Sequence, residues 1–342
     1  MRFVMKNAIL TCVILAVSLA VISCGGDQPA EMSGTAKQQV AALSGLDAVI
    51  EAGASLEKLP IDYAFDTAGS PCWVDGTLFL TNNNFDPAEA SKTMKLTADG
   101  VLHELRADNG VTTTIQESGK GTLYCCEMLG HRVVEMDYDG NILRVIAGDY
   151  DGRRIDGPND ICVDKKGGIY FTDSQFIAGQ EKMQDKPAVY YVKPTGGIIR
   201  IIDDIAFPNG LWLSPDETVL YVANTYGRYL LAYDVNGDGT VTNGRDFAEL
   251  KIPQELIDKG ELQCGADGVV VDSAGNIYVA TTKGFGIQVI DKDGNHLGNI
   301  LCDAVTNNVN FGGGDLRTLF VSAKDGIYTI RTRIPGEKAP RS

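Results

Sequence analysis

Histidine is scarce in this sequence, since only His103, His131 and His296 occur among 342 residues. They lie in hairpin or outer-strand segments of the repeat pattern described below, which disfavours a histidine general base. No Cys-x-x-Cys pair is present, so the ligand spacing of a structural zinc site is missing as well. Lys and Arg number 30 against 45 Asp and Glu, and the resulting formal charge of −15 argues against nucleic acid as a partner.

The start of the chain has the pattern of an export signal. Arg2 and Lys6 precede an apolar run from Ala8, and small residues lead to Cys24. This pattern predicts a signal peptide over residues 1–23. Its end, VISC, resembles a bacterial lipobox, in which Cys24 becomes the lipid-bearing first residue; an ordinary signal peptide that happens to hold a cysteine is the alternative. We therefore expect an exported bacterial lipoprotein on the periplasmic or cell-surface side, touching the membrane through its lipid anchor only.

A short motif of apolar, aromatic and apolar residues occurs six times along the chain. Its aromatic residues are spaced 45, 46, 51, 57 and 42 positions apart. A period of this size, made of short strand-like runs and turns such as DYDGNI and DKDGNH, is typical of propeller blades. The sequence therefore predicts an all-β fold, a six-bladed β-propeller. The six aromatic residues are Phe79, Tyr124, Tyr170, Tyr221, Tyr278 and Phe320.

Four regions are expected along the chain. The signal peptide is followed by a lipidated tether and a short N-terminal helix over 24–59, the helix being predicted from the apolar spacing in AKQQVAALSGLDAVIEAGASLEKL. The propeller covers 60–332, and 333–342 form a C-terminal tail. Because the last blade shows only three strand-like segments, we expect residues 61–66 to supply its fourth strand and close the ring.

Polar residues stand at the start of each predicted inner strand. Five of the six starts are expected to present an amide or a carboxylate at one mouth of the central channel, namely Asn109, Asn159, Asn209, Asp267 and Asn308. Converging oxygens of this kind are the ligands that a hard cation such as Ca²⁺ prefers. For any single copy, an ordinary turn at the start of a strand is the alternative interpretation.

Four segments, YDGRRIDGPNDICVDKKGGIYFTD, PNGLWLSPDETVLYVANT, ADGVVVDSAGNIYVA and NFGGGDLRTLFVSA, resemble the gluconolactonase and regucalcin-like (senescence marker protein) family of six-bladed propellers. The resemblance covers about residues 65–330. It implies one divalent cation at the channel mouth, Ca²⁺ in first place with Zn²⁺, Mg²⁺ or Mn²⁺ as alternatives. It also implies the opening of lactone rings or, in a related branch, the hydrolysis of organophosphates.

By position, the resemblance implies that Asn209 and Asp267 are cation ligands and that Asn159 is a further ligand or a substrate contact. Asn109 and Glu127 fall in segments that line the family's substrate pocket. Asp267 is the expected general base for the attack of water on the lactone carbonyl. The expected substrate is a small molecule of the lactone or sugar acid class, and we expect a monomer.

The sequence departs from the family at one cation ligand. The family's first blade begins with an EGPxW motif, whereas this chain has GSPCW, so that Gly69 stands where the ligand Glu belongs. Asp66 and Glu127 are candidates to replace the lost charge. Two functions therefore stay open: a metal-dependent hydrolase, or a non-catalytic propeller that acts as a ligand-binding or scaffold lipoprotein.

Overall fold

The structure, a computed structural model, describes residues 45–86, 89–175 and 181–337. The predicted signal peptide, Cys24 and most of the predicted tether lie outside these ranges. Within the ranges, no helix is long and apolar enough to cross a membrane.

Six four-stranded antiparallel sheets make up the fold. The strands of blade 1 are Ala68–Val74, Thr77–Asn82, Lys92–Leu96 and Leu102–Ala107. Those of blade 2 are Thr112–Glu117, Leu123–Glu127, Arg132–Met136 and Ile142–Ala147. Those of blade 3 are Pro158–Val163, Ile169–Asp173, Ala188–Val192 and Ile198–Ile202.

The second half of the ring repeats the same arrangement. The strands of blade 4 are Pro208–Leu213, Val219–Asn224, Tyr229–Val235 and Val241–Glu249. Those of blade 5 are Ala266–Val271, Ile277–Thr281, Gly286–Ile290 and His296–Ile300. Those of blade 6 are Thr306–Gly312, Thr318–Ala323, Gly326–Arg331 and, from the start of the described chain, Glu57–Lys58.

The first strand of each blade is its inner strand. Inner strands of neighbouring blades contact one another around the whole ring, including those of blades 1 and 6. The six repeat aromatics all lie on the second strand of their blades, and each is at most 6% exposed. They fill hydrophobic clusters between adjacent blades, where burying one large side chain contributes about 1.5–3 kcal/mol. The prediction of a six-bladed propeller is confirmed.

The ring closes earlier in the chain than expected. Glu57–Lys58 pairs with the last strand of the propeller, and the Leu59 N–H donates to the Ile327 carbonyl at 2.8 Å. Residues 61–66, expected to supply this strand, form none. Their burial alternates because Ile61, Tyr63 and Phe65 pack against a hydrophobic cluster formed by residues of blades 1 and 6.

Few described elements lie outside the blades. They are a 3₁₀ turn at Leu46–Ala48, an α-helix at Gln254–Asp258, and a two-residue hairpin pairing Asp149–Tyr150 with Arg153–Arg154. The turn lies within the predicted N-terminal helix, and the residues after it pack onto blades 5 and 6 through Val49 and Ile50. None of the six cysteines in the described ranges forms a disulfide.

Candidate functional site

A β-bulge lies near the start of each inner strand. In blade 3 the ladder pairs Pro158 and then Ile161, so that Asn159 and Asp160 between them escape the regular pairing. A bulge of this kind turns side chains away from the alternation of a flat strand. Asn159 is the second residue of its inner strand, counted from the first ladder pair. The corresponding residues of blades 1, 2, 4, 5 and 6 are Gly69, Thr113, Asn209, Asp267 and Asn307, and with Asn159 they are called the mouth ring.

Two of the five residues expected to share one register do not belong to the mouth ring, and that expectation is corrected. Asn109 lies ahead of the inner strand of blade 2, where its Oδ1 accepts the Thr112 N–H at 3.1 Å and its Nδ2 donates to Thr93 Oγ1 at 2.9 Å. It makes the turn into the strand, which was the alternative interpretation. Asn308 lies one position beyond Asn307, and its Oδ1 accepts the N–H of Val309 at 2.7 Å.

The structure brings Asn159, Asn209 and Asp267 together across three consecutive blades. Asn159 Nδ2 donates to Asn209 Oδ1 at 2.8 Å, and the Asn209 side chain lies close enough to the Asp267 carboxylate to favour its ionised form. Asn209 is only 5% exposed, whereas Asn159 and Asp267 are half-buried. Two amides and one carboxylate are thus neighbours at the mouth.

Two hydroxyl groups hold the amides in place and tie each blade to the next. Ser174 Oγ accepts from Asn159 Nδ2 at 3.1 Å and donates to the Pro208 carbonyl at 2.8 Å. In the following blade, Thr225 Oγ1 accepts from Asn209 Nδ2 at 2.9 Å and donates to the Ala266 carbonyl at 2.7 Å. The same hydroxyl position after the second strand therefore sets both the amide orientation and the blade spacing.

Gly210, one position beyond Asn209, permits the close approach of blades 4 and 5. A Cβ at this position would lie 2.2 Å from the Asp267 carbonyl oxygen and 2.6 Å from the Val269 nitrogen. Any side chain would push the two blades apart and with them the Asn209–Asp267 pair. The Gly in PNG is thus required by the site geometry.

Asp160 occupies the equivalent position in blade 3, and the sequence-based prediction did not include it. Its Oδ1 accepts the Ile161 N–H at 2.9 Å, and its Oδ2 accepts the Leu211 N–H of the next blade at 3.2 Å. Burial raises the pKa of Asp160 to about 6, against the lowering effect of these donors and the Thr114 hydroxyl. The signal was present in the sequence, because PND at 158 has an Asp where PNG at 208 has a Gly.

The surroundings of Asp267 oppose the ionisation of its carboxyl group. Burial raises its pKa well above the usual range, and the negative charge of Asp160 raises it further. The Asn209 side chain and the Gly268 N–H act in the opposite direction by stabilising the ionised form. A positive charge at the mouth would also favour the ionised form, because an opposite charge within a few ångströms lowers the pKa of a carboxyl group.

Gly69 leaves the blade 1 position of the mouth ring without a side chain. A Cβ there would lie 2.7 Å from Thr81 Oγ1 and 3.2 Å from Asn83 Nδ2, so these groups occupy the space that the family Glu needs. Asn83 Nδ2 donates to the Thr112 carbonyl at 2.9 Å, the interblade link made elsewhere by Ser174 and Thr225. Thr81 Oγ1 and Asn83 Oδ1 are buried and have no hydrogen-bond partner among the described residues.

Neither acidic candidate stands in for the missing Glu. Glu127 is 1% exposed, and its two oxygens accept from Arg106 and Arg132 at 2.6 Å each. Asp66 is exposed and accepts from Asn82 Nδ2 at 2.9 Å. A role for Glu127 and Asn109 in substrate binding stays a prediction, although their hydrogen bonds within the protein already account for the burial of both side chains.

The donor set at the mouth suits some metal ions better than others. In the described ranges, no group of three or more His, Cys, Asp or Glu side chains could hold one. Asn159, Asn209 and Asp267 together offer amide and carboxylate oxygens, which suit a hard cation such as Ca²⁺ better than Zn²⁺. These three side chains carry one formal negative charge, that of Asp267, and the nearby Asp160 carboxylate adds to the negative potential.

The fold and site define a six-bladed propeller with an oxygen-rich cluster at one mouth of its channel. The family model described as SMP-30/Gluconolactonase/LRE-like region matches residues 69–325. The chain belongs to this family, which confirms the resemblance drawn from the sequence.

Individual relatives support the same assignment. A gluconolactonase from Zymomonas mobilis is 26% identical over 317 residues, which are 85% of each chain. The solved structure of a gluconolactonase from Xanthomonas campestris has a TM-score of 0.71 at 25% identity, covering 84% of this chain and 92% of that one. Regucalcin from Agrobacterium tumefaciens, a calcium-binding protein, has a TM-score of 0.66 at 19% identity and covers 84% and 97%. At that identity the last comparison concerns the fold alone.

Proposed function

We propose that this protein hydrolyses lactones of small sugar acids at the channel mouth where Asn159, Asn209 and Asp267 meet. The observation that carries the proposal is the placement of Asn159, Asn209 and Asp267 side by side in three consecutive blades, with Asn159 Nδ2 donating to Asn209 Oδ1 at 2.8 Å. It puts a carboxylate and two amides at an accessible mouth in a member of a family whose relatives include gluconolactonases.

Asp267 is assigned as the general base. Its carboxylate accepts a proton from water while the water oxygen forms a bond to the lactone carbonyl carbon. The ring C–O bond then breaks, and the departing alkoxide takes up a proton, so that a hydroxy acid results. Asn209 favours the ionised form of Asp267, and Asn159 is assigned to orient the substrate through the part of its amide that does not bond to Asn209.

A divalent cation, with Ca²⁺ as the first candidate, would be held by the side-chain oxygens of Asn159, Asn209 and Asp267. When bound, it supplies Lewis-acid polarisation of the carbonyl group. Regucalcin from Agrobacterium tumefaciens, which shares the fold, is described as a calcium-binding protein. Since ligand charge governs Ca²⁺ affinity, the replacement of a Glu by Gly69 weakens binding relative to a site with two carboxylates.

Hydrolysis of D-glucono-1,5-lactone and δ-valerolactone, followed by pH-stat with Ca²⁺ present or chelated, tests the proposal. We expect Asp267→Asn to lower kcat by about 10²–10⁴-fold, the usual contribution of a general base. Asp246→Asn is the matched control, because Asp246 is exposed on the outer strand of blade 4. Equal activity of the two variants would rule out Asp267 as the base.

The second candidate function is ligand binding without turnover, and Gly69 is the observation that favours it. The mouth lacks one carboxylate, and Thr81 fills the place where that carboxylate would begin. Calorimetric titration with gluconate separates the candidates. Saturable binding that depends on Asn209, together with no hydrolysis above the spontaneous rate, would support the binding protein and contradict the hydrolase.

We further propose that the chain is exported and anchored to a membrane through a lipid on Cys24. The support is the sequence of residues 1–24, with two basic residues, an apolar run and the terminal VISC. Metabolic labelling with a fatty acid should mark the wild-type protein in the membrane fraction. Cys24→Ala should lose both the label and the membrane association, and a membrane-bound, unlabelled wild-type protein would contradict the anchor.

A further inference from the structure

A cavity of about 350 Å³ lies at the end of the channel opposite the mouth ring. Its walls come from residues three positions beyond the mouth ring on five inner strands, namely Cys72, Gln116, Cys162, Trp212 and Asn310. This volume is within the range of small-molecule sites in proteins. The proposed hydrolysis makes no use of this end of the channel.

Both tryptophans of the chain, Trp73 and Trp212, line the cavity. Each is half-buried, and Trp73 stacks on Phe320 with ring centroids 5.7 Å apart. Phe311, 5% exposed, adds a third aromatic ring to the wall. Aromatic faces carry a negative potential that attracts cations, and Trp is the strongest of the three aromatic side chains in this respect.

Gln116 supplies a polar group that the protein does not satisfy. It is 7% exposed and lines the cavity, and its side-chain amide has no hydrogen bond to another described residue. The amide is therefore available to hydrogen-bond to a group bound in the cavity.

The rim of the cavity is acidic. Glu117 and Glu217 line it together with Asp75 and Glu337, and the one basic side chain among the described residues that line it is Lys165. Lys165 Nζ donates to the neutral Pro215 carbonyl at 2.5 Å, so its positive charge remains, and its backbone N–H donates to Glu217 at 2.8 Å. Four carboxyl groups against one ammonium group leave an excess of negative charge, which favours a positively charged ligand, in keeping with the formal charge of −15 of the whole chain.

We propose that this cavity is a second ligand site, which binds a small organic cation with an apolar body, such as a quaternary ammonium compound. The apolar body lies against the indole rings of Trp73 and Trp212. The positive charge faces Glu117 and Glu217, and Gln116 directs its carbonyl oxygen towards the ligand. The site is independent of the lactone chemistry at the other end of the channel.

Tryptophan fluorescence reports on this cavity selectively, because both indoles line it and the sequence holds no other tryptophan. The probes are choline and 3,3-dimethyl-1-butanol, its neutral isostere with carbon in place of nitrogen. We expect a saturable change in emission with choline and at least about fivefold weaker binding of the alcohol, in the range of a cation–π contribution. Equal affinities or a linear response would overturn the proposal.

Amino-acid substitutions test whether choline binds in this cavity. Glu217→Gln keeps an oxygen for the Lys165 N–H but removes the charge, and it should weaken choline binding at least about threefold. Glu255→Gln, exposed on the helix Gln254–Asp258, is the matched control and should change nothing. Gln116→Met removes the amide from the cavity wall and should bind choline more weakly.

Asp267→Asn separates this inference from the proposed function. The variant should lose hydrolysis and keep choline binding unchanged. If choline binding fails while the wild type hydrolyses lactones, only the second site is rejected. If choline binding follows the predicted pattern in a protein that hydrolyses nothing, only the proposed function is rejected. Loss of choline binding in Asp267→Asn would place the ligand at the mouth and overturn the second site.

Discussion

The two halves of the mouth ring use the same strand position in different ways. In blades 3, 4 and 5 the position carries Asn159, Asn209 and Asp267; Asn159 hydrogen-bonds to Asn209 across the blade boundary, and Asn209 favours the ionised form of Asp267. They converge at the channel mouth, and two of them stay accessible from it. This half of the ring has the composition and the exposure of a reactive site.

The other half serves the scaffold. In blade 6, Asn307 Nδ2 donates to the Ala68 carbonyl at 2.8 Å, and in blade 2, Thr113 Oγ1 donates to the Asn159 carbonyl at 2.7 Å. Blade 1 carries Gly69, with no side chain at all. A position shared by six repeats therefore does not imply a shared role. What distinguishes the two halves is whether the side chain bonds to a backbone carbonyl or to another mouth side chain.

Glu127→Ala should produce the largest effect, and it should fall on stability. Glu127 lies on the second strand of blade 2, in the scaffold half, with both oxygens paired to arginines. Removing one partner of a buried ion pair costs about 3–5 kcal/mol of unfolding free energy. Chemical denaturation should show this loss, while KM for lactones stays near the wild-type value. A large rise in KM without loss of stability would instead favour the substrate contact predicted from the sequence.

Asn209→Ala and Asn307→Ala form a matched pair across the two halves. Asn209→Ala removes the group that holds Asp267 and should lower kcat about 100-fold, comparable to the loss of one preorganised donor. Asn307→Ala should lower the unfolding free energy by about 1–2 kcal/mol through the lost bond to Ala68, with kcat within about threefold of wild type. Steady-state kinetics and chemical denaturation of both variants measure the two expected losses. Similar kinetic losses in the two would remove the distinction between the halves.

Gly69→Glu should add a carboxylate ligand to the mouth ring in blade 1, but only when the Thr81 side chain is shortened as well. Because a Cβ at 69 would lie 2.7 Å from Thr81 Oγ1, the single variant is expected to bind Ca²⁺ no better than wild type. Gly69→Glu with Thr81→Ala should bind Ca²⁺ at least about tenfold more tightly, since a second carboxylate joins the site. Calorimetry measures the affinity, and Gly69→Gln with Thr81→Ala controls for charge. Equal affinity of the Glu and Gln forms would contradict a cation site at this mouth.

Asp160→Asn should shift the acid limb of the pH–rate profile of lactone hydrolysis to lower pH. Asp267 works as a base only when ionised, so activity is lost as the pH falls through its pKa. The charge of Asp160 raises that pKa, and its removal lowers it. The profile of kcat/KM from about pH 4 to 9 reports the shift, and a limb that moves to higher pH or stays in place would exclude the coupling.

The sequence predicted the fold because the repeat aromatics carry the packing between blades. It also predicted that Asn159, Asn209 and Asp267 lie together, since these residues stand in PN or AD motifs 11 or 12 positions ahead of those aromatics. It failed for Asn109 and Asn308, because the register of a bulged strand is set by ladder pairing and not by the nearest Asn. Asp160 was missed since its role depends on the backbone of the next blade.

The strand that closes the ring, Glu57–Lys58, was not predicted from the sequence for a different reason. Glu57 and Lys58 are both exposed, so that no hydrophobic pattern marks them. Their pairing rests on backbone hydrogen bonds and on the ion pair of Lys58 with Asp325 at 2.6 Å. Only the unpaired edge of the last blade indicates that such a strand must exist.

That closing strand also sets the order in which the protein can be completed during synthesis. Lys58 meets Asp325 across 267 positions of sequence, so the first propeller residues to leave the ribosome wait for almost the last. Synthesis alone, at roughly 5–20 residues per second, makes this wait on the order of 15–50 s, and the proposed export lengthens it; until the strand pairs, the edges of blades 1 and 6 are open to other chains. A folding helper that shields those edges would act on the unclosed protein and lose its target once the ring is closed.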